Sequence, residues 1–321
     1  MGRCIFSESL NESTLHGIPG AARGLGAGSD AGRARSFAGL ALGLLRTAAD
    51  DFVTTVFPSD CRVCQRPLLR SSMLPVCDVC CSGVERQSEA LCSRCGEALD
   101  VDLESVRFAW SVPAEGLLCH VCRAVPPMFE RAVAYSVYQD ELREMVHLLK
   151  YDRMRGVAGL LGPMLADAIL MLEADAAREL VVIPVPLFPA KQRQRGYNQS
   201  ELLADAAIAE LRSLRPEWKM RRVASLIERT RDTESQFELT PRGRRRNIEG
   251  AFAVDAARFP LGCEVLLVDD IYTTGATARE CARVLRRAGA RKVWVATLAR
   301  AQTVRVAMWD DSSLHAAQGF G

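Results

Sequence analysis

A surplus of either charge is missing from this sequence: 41 Lys and Arg stand against 39 Asp and Glu, leaving +2. Whole-chain charge therefore gives no argument for nucleic acid or for an anionic membrane surface, and local clusters must carry any such claim. Long apolar runs are missing as well. FAGLALGLL follows Arg33 and Arg35 much as the apolar part of an export signal would. It is only about nine residues long and lies deep in the chain, too short to span a bilayer and misplaced for a leader. Without an export signal the expected compartment is the reducing cytoplasm, with no membrane partner. The cysteine-rich part lacks the repeated interleaving of aromatics and cations that a stacking platform for single strands needs. Nothing in the chain specifies an oligomeric state.

Cysteine is scarce except in one region, and there it is dense. Of twelve cysteines, nine lie between Cys61 and Cys122, and eight of these form Cys-x-x-Cys pairs: Cys61/Cys64, Cys77/Cys80, Cys92/Cys95 and Cys119/Cys122. Two thiolates at that spacing grip one side of a tetrahedral zinc, so two pairs close a structural site and four pairs imply two zinc ions. Disulfides are the competing use, which a reducing compartment disfavours. Sequential grouping of the pairs makes a double zinc ribbon; a cross-braced grouping uses the same residues. Cys81 and His120 stand beside ligands as bystanders. Cys281 falls inside a helical pattern and reads as core.

The charged and apolar fractions are those of a soluble globular protein. Residues 1 to 35, with seven glycines and no apolar period, read as a disordered tail. A helix is expected over 36–57, the zinc module over 58–124, a larger domain over 128–300, and a second disordered tail over 301–321. Val125-Pro126-Pro127 joins the two modules.

The larger domain is organised around VLLVDDIYTTGAT, residues 265 to 277. Val265, Leu266, Leu267 and Val268 suit a strand buried on both faces of a parallel sheet. Asp269 and Asp270 then fall at its carboxyl end, where open α/β sheets place their ligands. Thr273, Thr274, Gly275, Ala276 and Thr277 form a small, hydroxyl-rich turn into a helix. Its backbone N–H groups and the helix dipole would stabilise a phosphate. Acids that accept from vicinal hydroxyls beside a phosphate turn describe a site for a sugar phosphate.

These residues resemble the phosphoribosyl diphosphate (PRPP) motif of type I phosphoribosyltransferases, and DDIYTTGAT resembles in particular the ComF, or competence protein F-like, branch. The resemblance covers roughly Phe52 to Ala299, and ComF-like proteins similarly carry a cysteine-rich module ahead of the transferase-like domain. It implies an α/β fold with a parallel sheet flanked by helices, and a phosphoribosyltransferase-type activity that passes ribose 5-phosphate from PRPP, with magnesium, to an acceptor not identified in the sequence. In that reading Asp269 and Asp270 hold the ribose hydroxyls and help place the metal, and Thr273 to Thr277 hold the 5'-phosphate. The alternative, which the name of the branch implies, is a PRPP-sensing protein or one that handles single-stranded DNA.

Other segments are placed around this centre. RAVAYSVY (131–138) reads as a strand, Glu141–Lys150 and Val157–Leu172 as helices, and Leu180 to Pro186 as a second buried strand. After it, LFPAKQRQRGYNQSELLA reads as a loop whose Lys191, Arg193 and Arg195 would meet diphosphate, with Asn198 and Glu201 as a capping box for the next helix. LLKYDRMRG resembles the family's Lys-aromatic segment but lacks its early glycine, so Lys150 receives no role. His147 reads as a surface residue. The basic stretch from Arg229 to Phe252 matches the place of a mobile loop that covers the reacting ribose. Ala251–Val254 and Lys292–Ala299 are the last strands.

Overall fold

In a computed structural model the chain is described over residues 60–68, 74–88, 90–99, 116–232 and 241–302. The expected N-terminal tail, the helix over 36–57, residues 233–240 of the basic stretch and all but the first two residues of the expected C-terminal tail lie outside the described residues.

The cysteine-rich part contains the same device twice. Cys61 to Cys64 sit in a tight turn closed by a bridge between Asp60 and Pro67, and Cys92 to Cys95 in one closed between Leu91 and Ala98. Gln65 and Gly96, each just after the second cysteine, take the same left-handed backbone, φ 60° and 68°. The other two pairs each begin a single helical turn, α1 (Asp78–Ser82) and α2 (His120–Ala124), with Cys77 and Cys119 at the N-cap.

In order, the second part comprises β1 (Arg131–Val137), α3 (Asp140–Lys150), α4 (Val157–Leu170), β2 (Glu179–Pro184), α5 (Pro189–Arg195), α6 (Gln199–Leu214), β3 (Lys219–Arg222), β4 (Ile227–Arg229), α7 (Pro241–Ile248), β5 (Phe252–Val254), β6 (Glu264–Tyr272), α8 (Ala276–Arg287) and β7 (Lys292–Arg300). Five strands form one parallel sheet in the order β1-β7-β6-β2-β3, while β4 and β5 make a separate antiparallel pair. The architecture is thus α/β, a parallel sheet flanked by helices behind a cysteine-rich module.

β6 sits at the centre, and its apolar run serves both faces. Leu266 and Val268 join the core under α3, α4 and α6, whereas Val265 and Leu267 join the core under α8. That alternation is the two-residue period of a strand, and burial on both sides is why the run is unbroken. On the first face α4 and α6 approach closely: a Cβ on Gly162 would lie 2.5 Å from the Ala206 Cβ. Cys281 is fully buried in the second core, as its place on α8 requires.

The strand order also fixes where a ligand goes. From β2 the chain passes outward to β3, and from β6 it passes the other way to β7. The carboxyl ends of β2 and β6 therefore flank a topological switch point, the crevice in which open α/β sheets bind ligands.

Candidate functional site

A cavity of about 430 Å³ opens at that switch point, lined by Asp269, Asp270, Thr273, Gly275, Ala276 and Thr277 from the β6–α8 junction. Residues 185 to 187 after β2, Lys191 and Arg195 of α5, Lys150 and Tyr151 at the end of α3, and Arg229 also line it. The structure thus gathers the acid pair, most of the hydroxyl turn and two of the three expected cations. Arg193 is exposed and does not line the cavity. The segment expected to be a loop is the helix α5, and the helical period explains the difference: residues four apart share a face, so Lys191 and Arg195 turn inward together and Arg193 turns away.

The two carboxylates have different surroundings. Asp269 Oδ1 accepts from Ser200 Oγ at 3.0 Å and from the Asp270 N–H at 2.9 Å. Burial, and then the neighbouring charge of Asp270, raise its pKa to about 7. Asp270 is instead paired: Lys150 Nζ lies 2.9 Å from its Oδ1, with the lysine side chain only 16% exposed. Burial works against the Lys150 ammonium, but Asp270 and then Asp269 hold its pKa above the ordinary lysine value. The other oxygen of Asp270, Oδ2, is buried with no partner among the described residues. Lys150 is therefore a site residue that the sequence left without a role; LLKY resembled a family segment, but only the fold brings α3 to the end of β6.

The turn after β6 is built to leave donors free. Gly275 is the N-cap of α8, at φ 72° and ψ 10°, and offers no side chain to cap the helix. The first-turn N–H groups of a helix have no partner within it, and here they begin at the cavity wall. Gly275 is forced for two reasons: its φ disfavours any side chain, and a Cβ would overlap the Tyr272 hydroxyl. Thr274 Oγ1 is also buried without a partner among the described residues. Asn198 caps α6 as expected, its Oδ1 accepting from the Ser200 N–H at 3.0 Å. Its amide donates to Val185 O and to Glu201 Oε1, which ties the cap to the end of β2.

The eight cysteines fall into two groups, Cys61, Cys64, Cys77, Cys80 and Cys92, Cys95, Cys119, Cys122, each with its sulphurs within 4.8 Å of one another. This is the sequential grouping. Observed S···S separations are 3.9 Å for Cys61–Cys80, 3.7 Å for Cys64–Cys77 and 3.7 Å for Cys95–Cys119. A tetrahedron with Zn–S bonds of about 2.3 Å puts its sulphurs about 3.8 Å apart. Both groups could hold a zinc ion. The acid pair is different: Asp269 and Asp270 supply too few oxygens for a resident magnesium, and Lys150 already takes one of them. Among the described residues no helix is long and apolar enough to cross a membrane.

No protein-family model matches the chain. It is 33% identical over 248 residues to the DNA utilization protein YhgH of Salmonella typhimurium, covering 76% of this chain and 97% of that protein. It is 28% identical over 227 residues to Competence protein F of Haemophilus influenzae, covering 69% and 90% of the two chains. To Competence protein ComFC of Streptococcus pneumoniae it is 26% identical over 234 residues, 73% and 91% of the two. With two Cys4 groups of the double-ribbon kind ahead of a parallel α/β domain, and with this similarity along nearly the whole of its relatives, the chain belongs to the ComF, or competence protein F-like, family.

Proposed function

We propose that the cavity binds PRPP or a related ribose 5-phosphate, and that the chain is a phosphoribosyltransferase-type protein with structural zinc in both Cys4 groups, working in the cytoplasm. One observation carries the reading: the acid pair near the carboxyl end of β6 and the uncapped start of α8 line one cavity, and Asp270 Oδ2 is buried with no partner among the described residues. Vicinal ribose hydroxyls donating to Asp269 and Asp270 would satisfy the acids. A 5'-phosphate on the N–H groups of Thr273 to Thr277 would satisfy the helix start. Lys191 and Arg195 stand on the wall formed by α5 and would meet the diphosphate, while Lys150 lines the same cavity, paired with Asp270.

In transfer, the bond from ribose C1 to diphosphate oxygen breaks, the oxygen keeps the electron pair, and an acceptor nucleophile forms the new bond to C1. The ring becomes cationic on the way, and the Asp270 carboxylate, joined by Asp269 once it is ionised, would favour that charge, while Lys191 and Arg195 would stabilise the departing diphosphate. Magnesium arriving with the diphosphate would supply further neutralisation of the leaving group, and Asp269 and Asp270 are the carboxylates that would lie nearest to it.

A second reading is supported by the names of the relatives, DNA utilization protein and competence proteins. There the sugar-phosphate site senses PRPP and the basic segments handle single-stranded DNA.

Calorimetry of PRPP and ribose 5-phosphate, with and without magnesium, beside anisotropy of a labelled single strand, tests both. PRPP should bind, and Asp269→Asn with Asp270→Asn should weaken it about ten- to a hundredfold or more, since each hydrogen bond to a charged acceptor contributes about 1.5–3 kcal/mol. An unchanged affinity in that double variant would place the ribose elsewhere. A single strand that binds with PRPP-dependent affinity, without turnover of PRPP by any acceptor, would favour the second reading.

A further inference from the structure

The two Cys4 groups are alike in build but not in what they touch. Cys61 and Cys80 lie in the core under α3 and α4, on the face of the sheet away from α8. Cys92, Cys95 and Cys122 lie in the other core, together with Tyr272, Ala276 and Ala278, the residues that frame the turn into α8.

The second group also reaches both ends of that turn through arginines. Arg279, in the first turns of α8, donates to Val125 O at 2.7 Å and to Cys122 Sγ at 3.4 Å. Arg300, buried at the end of β7, donates to Cys95 O at 2.6 Å and to the Glu97 carboxylate. Its guanidinium lies 4.4 Å from the centroid of the Tyr272 ring. The hydroxyl of that tyrosine fills the place of the missing Gly275 side chain. Thus Cys95 holds Arg300, Arg300 lies over Tyr272, and Tyr272 packs on the glycine of the turn; Cys122 holds Arg279, which extends from the helix that the turn begins.

Resting on the reading of that turn as a phosphate site, we propose that the second Cys4 group regulates it: metal in Cys92, Cys95, Cys119 and Cys122 fixes Arg279 and Arg300, and through them the turn, whereas metal in the first group does not. Arg279 and Arg300 are positioning residues, since neither lines the cavity. A metal-bound thiolate fixes Cys122 Sγ as an acceptor for Arg279 and orders the backbone carbonyl that holds Arg300. Binding at the two sites is then coupled, and coupling is reciprocal: what metal does for the phosphate ligand, the ligand must do for the metal.

The full chain loaded with zinc is challenged with a chromogenic chelator, with and without saturating ribose 5-phosphate, after calorimetry has established that this ligand binds. One of the two zinc ions should be held about fivefold or more tightly in the presence of ligand, the lower end of ordinary coupling. The other should be unaffected. Cys61→Ser, which breaks the first group, should retain the protected ion. Arg279→Gln should keep both ions and its fold while the protection falls towards onefold. Ligand that binds yet protects neither ion, or both equally, overturns the coupling alone. Ligand that does not bind at all overturns the phosphate reading and the coupling with it.

Discussion

Asp269 and Asp270 are neighbours in sequence with opposite electrostatic situations. Asp270 has an ammonium at 2.9 Å, so its charge is compensated. Asp269 has hydrogen bonds but is raised to about pKa 7 by burial and by Asp270, well above about 3.9 for an unfolded aspartate. The folded protein therefore holds a proton that the unfolded chain has released between those values. That contribution to stability is complete below about pH 4 and is lost as pH rises through about 7. Asp269→Asn removes it, so melting of variant and wild type should diverge in the variant's favour from pH 5 to pH 8. A difference that stays constant across that range would contradict the assigned charge state. Lys150→Met should cost about 3–5 kcal/mol, because it strands a buried carboxylate. Adding Asp270→Asn should recover much of that loss, and denaturant melts of the four proteins in the cycle measure the coupling.

At the scale of elements, α5 separates what the sequence makes plain from what it does not. Lys191→Gln with Arg195→Gln should weaken PRPP much more than ribose 5-phosphate, because only PRPP carries the diphosphate, whereas Arg193→Gln should leave both affinities unchanged. Equal losses for the two ligands on calorimetry would remove diphosphate from this wall. The three basic residues read as a loop because PAKQRQR buries nothing and so has no apolar period. Signals for the helix are nonetheless present: Pro189 at its first position and Gly196 after its last, at φ 82°. β6 is legible for the opposite reason, since a strand buried on both faces writes its burial into each residue of the run Val265 to Val268. The edge strand β3, KMRR, has one buried residue of four and left no comparable mark. Lys150 could not be assigned, because its partner lies 120 positions along the chain and their meeting depends on strand order. The spacing of the cysteine pairs allowed two groupings; the turns around them, folded as repeats, select the sequential one.

At the scale of the molecule, two small cysteine devices lean on opposite faces of one sheet whose central strand ends in the candidate site. Metal analysis of reduced, monodisperse protein should give two zinc ions per chain, and Cys61→Ser should remove one; protein without zinc would leave the ribbons unexplained. The turn that begins α8 is where the sugar-phosphate reading stands or falls. Gly275→Val keeps the net charge but puts a branched side chain at φ 72°, against the Tyr272 hydroxyl. Titration of ribose 5-phosphate into this variant, with its fold checked by circular dichroism, tests the claim most directly. The wild type should bind and the variant should show no measurable binding; a folded variant that binds ribose 5-phosphate as the wild type does would remove the phosphate from this turn.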